Sequence, residues 1–197
     1  MLGSMLQITS SCSAGCIHCP YAVQTHENTE MSLEDVARNV AGERFVLVTG
    51  GEPLEHRNWC GVLRELNKVR CMFRIATGGH IPLLPFIDDL KESALFTGFS
   101  VGTDVISQRS SCDSFVAIWK NNIELLNSKR VPYSLTPTVD QTFDVDFVLR
   151  TSLAAKAQPG FLMLAELEGQ PLEDRKHVIK KLCEAFVGIE VKFGFQN

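Results

Sequence analysis

The stretch Cys12-Ser13-Ala14-Gly15-Cys16-Ile17-His18-Cys19 follows a strand-like run at Leu6 to Thr9 and governs how the rest of the chain is read. A loop leaving a strand of a parallel α/β sheet lies at the carboxyl ends of the strands, where such folds carry their sites. A doubly wound nucleotide fold usually places a glycine-rich phosphate turn there. This loop carries three thiols within eight residues instead.

Outward from that loop, strand-like runs recur at Phe45 to Thr49, Met72 to Thr77, Phe96 to Val101, Tyr133 to Val139, Phe161 to Leu167 and Ile189 to Phe195, each rich in β-branched and aromatic residues. Helical patterns separate them. Ser32-Leu33-Glu34-Asp35 has a capping-box layout with Asp35 in place of the usual Glu. Trp59, Val62, Leu63 and Leu66 repeat at three- and four-residue spacing, as do Val116, Trp119, Ile123 and Leu126, and Val178, Leu182 and Phe186. Seven strands alternating with about six helices predict right-handed βαβ units. A complete eightfold barrel takes about 250 residues, so 197 residues predict an α/β fold, an incomplete (β/α)6 TIM-like barrel with a mainly parallel sheet. Met1 to Met5 reads as a possible cloning remnant, which leaves one domain over residues 6–197.

Composition narrows the class. At 45% hydrophobic and 21% charged residues the chain is not disordered, and its net charge of −4 gives no global attraction to nucleic acid or acidic membranes. No apolar run reaches the roughly 20 residues of a membrane span, and no signal-like segment opens the chain, so a cytoplasmic protein is expected. Seven cysteines, an odd number in a reducing compartment, argue for metal binding rather than disulfides. Structural zinc generally takes four protein ligands, and His18 is poorly placed to be the fourth. Three thiolates can also hold three irons of a [4Fe-4S] cluster, leaving one iron open.

The C-x3-C-x2-C loop, followed after the second strand by Thr49-Gly50-Gly51-Glu52-Pro53, resembles the radical S-adenosylmethionine (SAM) superfamily. The resemblance implies that Cys12, Cys16 and Cys19 bind a [4Fe-4S] cluster, that SAM chelates the open iron, and that Gly50, Gly51 and Glu52 receive its methionine amine. Glycine backbone permits close approach, and a carboxylate accepts charge-assisted hydrogen bonds. By the same resemblance His18, just before the third Cys, packs near the adenine. Ala76-Thr77-Gly78-Gly79 resembles the small-polar-Gly turn of many members, which puts Thr77 among the cofactor contacts, and Ser100 and Asp104 around the fourth strand end are implied to approach the methionine carboxylate or ribose. Thr138 meets ribose or substrate, and Asp140 beside it is equally a turn residue.

Glu166 and Glu168, at the sixth strand end, are candidates for holding a polar substrate. Cys112, after the fourth strand, is a possible hydrogen-atom donor to a substrate radical, with a packing role as the alternative. Cys60, Cys71 and Cys183 read as structural. His26, His56 and His80 read as surface-loop residues.

The implied reaction is reductive cleavage of SAM to a 5'-deoxyadenosyl radical that abstracts hydrogen from a substrate, with a flavodoxin or ferredoxin-type protein as electron donor. A short, open barrel suits a peptide or another sizeable molecule, with peptide maturation first. A glycyl-radical enzyme activase and a small-molecule enzyme resembling 7-carboxy-7-deazaguanine synthase are the alternatives among enzymes. A zinc-stabilised β/α binding protein is the alternative outside them.

Overall fold

A computed structural model describes residues 4–16, 19, 29–106, 114–136, 150, 161–164, 180 and 190–193. Five parallel strands form one sheet in chain order: β1 (Ser4–Gln7), β2 (Phe45–Thr49), β3 (Met72–Thr77), β4 (Phe96–Gly102) and β5 (Tyr133–Thr136). A second parallel pair joins β6 (Phe161–Leu164) to β7 (Glu190–Phe193). The expected α/β architecture is present, and each strand candidate overlaps an observed strand, with residues 137–139, 165–167, 189 and 194–195 of the last three candidates outside the described residues. At the amino end, Ser4 and Met5, set aside as a possible cloning remnant, lie in β1 and pair with Val46 and Leu47.

The connections supply helices α1 (Leu33–Val40), α2 (Trp59–Lys68), α3 (Leu84–Glu92) and α4 (Ser114–Lys129). Ser32 caps α1 as expected: its Oγ accepts from the Asp35 amide at 3.1 Å and donates to Asp35 Oδ2 at 2.7 Å. Asn58 caps α2 by accepting from the Gly61 amide at 3.1 Å. The Val178, Leu182 and Phe186 pattern lies outside the described residues.

Strand alternation divides the sheet into two faces. Leu6, Val46, Val48, Phe73, Ile75, Phe99 and Val101 are buried with Val36, Leu66, Ile87, Leu90, Trp119 and Ile123 from the four helices. This is the apolar core, and its burial is the main driving force for assembly. The opposite face carries Leu47, Arg74, Ala76, Ser100 and Ser134. Thr97 and Gly98 together oppose Arg74 across the β3–β4 ladder, a bulge between the pairs Phe73↔Phe96 and Ile75↔Phe99.

Candidate active site

Three consecutive strand ends build the site. The cysteine loop leaves β1 and is closed where residues 29–31 return alongside residues 8–10. The Ser10 amide donates to Thr29 O at 2.9 Å, the Met31 amide to Ile8 O at 2.8 Å and the Thr29 amide to Ser10 Oγ at 2.9 Å. Cys12, Cys16 and Cys19 are all partly exposed, and the Cys19 amide donates to Cys16 O at 3.0 Å.

The Gly50-Gly51-Glu52 turn clamps the other side of this loop. The Gly51 amide donates to Thr9 O at 2.8 Å and the Glu52 amide to Ser11 O at 2.7 Å. Such closeness excludes side chains: a Cβ on Gly50 would stand 2.3 Å from Thr9 O, and one on Gly51 2.2 Å from Ser11 O. Gly50 also has φ +154°, a conformation that favours glycine. The glycines thus let the backbone press against the cysteine loop.

Glu52 is fully buried. Its Oε2 accepts from Thr77 Oγ1 and from the Gly78 amide, both at 2.9 Å, and its Oε1 from the Leu54 amide at 3.2 Å. The carboxylate therefore ties the second strand end to the third. Burial pushes its carboxyl up to about 7, against the lowering effect of those three donors. Thr77, 4% exposed, also accepts from the Gly79 amide at 3.0 Å.

Glu55 follows Glu52 in a short 3-10 turn, Pro53–Glu55. It accepts from the Ser13 amide at 2.9 Å and from Ser11 Oγ at 3.3 Å, on both sides of Cys12. Burial pushes the Glu55 carboxyl up, but the Ser13 and His80 contacts outweigh it and hold it below the usual carboxylate range. His80 Nε2 lies 3.4 Å from Glu55 Oε1 and 4.0 Å from Cys12 Sγ.

The surface assignment of two histidines is corrected here. His56 is 5% exposed, with its Nε2 3.1 Å from Met31 O, and His80 is 1% exposed. Each follows a turn that folds back over the core, which the sequence alone does not reveal. Glu55 was also missed, although its place three residues after Glu52 in a helical turn is a usable signal.

Ser100 is buried and accepts from Arg74 Nε at 2.9 Å. Arg74 Nη2 also donates to Phe99 O and, at 2.8 Å, to Ser134 Oγ. The partners of this half-buried guanidinium are thus neutral, and burial lowers its pKa. Asp104 sits in the turn after β4. Cys71 is buried as expected, whereas Cys60, read as structural, is exposed on α2. His18, His26, Cys112, Thr138, Asp140, Glu166, Glu168 and Cys183 lie outside the described residues. A cavity of 630 Å³ between α2 and α3, lined by Cys60, Arg64, Arg70 and Asp89 among others, opens at the amino ends of the strands, away from Cys12, Cys16 and Cys19.

No family model matches the chain. Among curated proteins it is 26% identical over 143 residues to the GTP 3',8-cyclase of Desulforamulus reducens, covering 66% of this chain and 44% of that one. Among solved structures, Streptococcus suis SuiB bound to S-adenosylmethionine matches with a TM-score of 0.69 and 12% identity, over 98% of this chain and 50% of that one. The same protein bound to precursor peptide SuiA gives 0.70 and 11%, over 98% and 48%. A domain of the pyruvate-formate lyase-activating enzyme from Bacteroides vulgatus gives 0.54 and 14%, over 76% of this chain and 98% of that one. The chain spans about half the length of SuiB and less than half of the cyclase. The fold is thus the partial barrel of these solved structures, and in its cysteine loop, its Gly-Gly-Glu turn and its similarity to the cyclase the chain resembles the radical SAM superfamily.

Three cysteine thiols on one loop are the kind of donor set that an iron–sulfur cubane takes. Among the described residues no three His, Cys, Asp or Glu side chains gather as ligands to a single ion would. A cubane does not require that, since each thiolate binds a different iron. As a free thiol Cys12 is pushed up to about 12, by burial first and then by the nearby Glu52, Glu55 and Cys19. Iron coordination is the kind of partner that deprotonates such a thiol outright.

Proposed function

We propose that Cys12, Cys16 and Cys19 hold a [4Fe-4S] cluster and that the adjoining strand ends hold SAM. When bound, that pair supplies one-electron cleavage of SAM to methionine and a 5'-deoxyadenosyl radical able to abstract hydrogen from a substrate. The observation that carries this reading is the clamp of Gly51 and Glu52 amides on Thr9 and Ser11 carbonyls, which fixes the cysteine loop against the turn the superfamily uses for the methionine amine.

The chain's own groups position and exclude. Glu52 organises the backbone of the Thr77-Gly78 turn, and Glu55 holds Ser11 and Ser13 on either side of Cys12. Gly50 and Gly51 keep the first two strand ends in van der Waals contact. A rigid, partly dry setting of this kind keeps a radical from being quenched elsewhere. Thr77, Ser100 and Asp104 are proposed to line the SAM site, and His18 and Thr138 are further proposed contacts.

For the substrate, a peptide is the favoured class, supported by the match to SuiB in its complex with a precursor peptide over nearly the whole chain. The match to almost all of the pyruvate-formate lyase-activating enzyme domain favours a glycyl-radical protein loop as the second reading. Glu166 and Glu168 are proposed substrate contacts and Cys112 a hydrogen donor. The electron donor is proposed to be a flavodoxin or ferredoxin-type protein in the cytoplasm. None of the described helices is long and apolar enough to cross a membrane.

Anaerobic reconstitution should give about four irons and four sulfides per chain, and dithionite should then drive 5'-deoxyadenosine formation from SAM. Cys16→Ala should abolish both. One zinc and no sulfide would overturn the assignment in favour of a zinc-stabilised binding protein.

A further inference from the structure

The turn after β3 is shaped around one imidazole. A Cβ on Gly78 would stand 2.7 Å from His80 Nδ1, so glycine at that position is what lets the ring fold back. Asn122 on α4 fixes the backbone on both sides: its Nδ2 donates to Gly79 O at 2.9 Å and to Ile81 O at 2.8 Å, and its Oδ1 accepts from the Leu83 amide at 2.9 Å. Phe115 covers the ring, with centroids 5.2 Å apart.

So held, His80 is 1% exposed and directs Nε2 at Glu55 Oε1 (3.4 Å) and Cys12 Sγ (4.0 Å). Nδ1 is buried without a hydrogen-bond partner; Glu52 Oε2, 3.7 Å away, is beyond bonding distance. The ring proton belongs on Nε2, where both acceptors are, rather than on Nδ1, where there is none. Burying a ring with one nitrogen unpaired is costly, and the contacts that Nε2 makes are what offset that cost. Glu55 completes the arrangement by binding the backbone and side chain on either side of the same cysteine.

Resting on the reading of the three cysteines as cluster ligands, we propose that His80 is a positioning residue whose Nε2–H, oriented by Glu55, hydrogen-bonds the Cys12 thiolate and raises the reduction potential of the cluster. Hydrogen bonds to ligating sulfur stabilise the reduced, more negative cluster and so move its potential upward. The consequence for SAM cleavage is a cluster that accepts its electron more readily.

The test uses the reconstituted full chain. Iron and sulfide are counted first, and a wild-type chain without a cluster removes both the parent reading and this one. Redox titration followed by electron paramagnetic resonance is then run on wild type, His80→Phe and His80→Gln. The expected result is unchanged iron content in both variants, a more negative midpoint for His80→Phe, and a midpoint nearer wild type for His80→Gln, which restores an N–H donor. An unchanged midpoint in a fully loaded His80→Phe overturns the proposal while leaving the cluster assignment intact. Should His80→Phe fail to load, pulsed resonance on the reduced wild-type protein grown with ¹⁵N-histidine decides. A ¹⁵N coupling that disappears in His80→Gln supports the contact, and absence of any coupling in the wild type overturns it.

Discussion

Glu52 Oε2 and the Gly78 amide meet at 2.9 Å, so the acid of the Gly-Gly-Glu turn binds the third strand end inside the protein. A buried carboxyl pushed up to about 7 from 4.5 gives the folded chain a proton that the unfolded chain has already released across that range. Its contribution to stability is fully present below about 4.5 and is lost as pH rises through about 7. In the metal-free protein, Glu52→Gln should therefore flatten the fall in Tm across this window relative to wild type. Parallel Tm curves for the two proteins would contradict the assignment.

Gly51→Ala should damage the site more than any surface change. The new methyl group would meet Ser11 O at 2.2 Å, and both groups belong to backbone that has little room to retreat. Overpacking of this sort typically costs about 1–3 kcal/mol. A lowered urea midpoint together with reduced iron loading is expected, and wild-type values in both measurements would refute the clamp.

Asn122 satisfies three backbone groups between Gly79 and Leu83. Asn122→Ala leaves two carbonyls and an amide without this partner, at a cost of about 1–3 kcal/mol per stranded group at most. Chemical denaturation should show the loss, and hydrogen exchange should show faster exchange at Leu83 than in the wild type.

Arg74 bridges β3, β4 and β5 through Ser100 Oγ, Phe99 O and Ser134 Oγ. Arg74→Met should lose about 1–3 kcal/mol by leaving those acceptors unpaired. Arg74→Lys should recover only part of this, because one ammonium cannot reproduce the planar fork. Equal stability of all three proteins by urea titration would show that the bridge is dispensable.

Ser32→Ala serves as a calibration away from the site. Removing the hydroxyl that accepts from the Asp35 amide should cost about 1 kcal/mol, read from the urea midpoint, with no change in iron content.

The sequence was most informative where a residue's effect is local. Ser32 and Asp35 mark the start of α1 through a single side-chain bond, and the pattern of Val62, Leu63 and Leu66 describes one helix face. The Cys12, Cys16 and Cys19 spacing was legible because the three thiols share one loop. His80 was not, because its burial depends on the missing side chain of Gly78, on Asn122 more than 40 residues later and on Phe115. Arg74 was hidden for a similar reason: an Arg in a strand declares its neighbours only when the register with Ser100 and Ser134 is known. The place of Ser4 and Met5 in β1 was hidden because their pairing with β2 is non-local.

The three strand ends that surround Cys12 come from consecutive units, with the cysteine loop, the Gly-Gly-Glu turn and His80 all falling within residues 12–80 and adjacent in the sheet. Chain growth from the ribosome runs in the same direction as this neighbourhood, and regions rich in near-sequence contacts organise early. The thiols and their clamps are therefore synthesised together, ahead of β4 and β5. Asn122 and Phe115 emerge later and close over the imidazole, so the order of synthesis separates the cysteine loop and its clamps from the groups that lock His80.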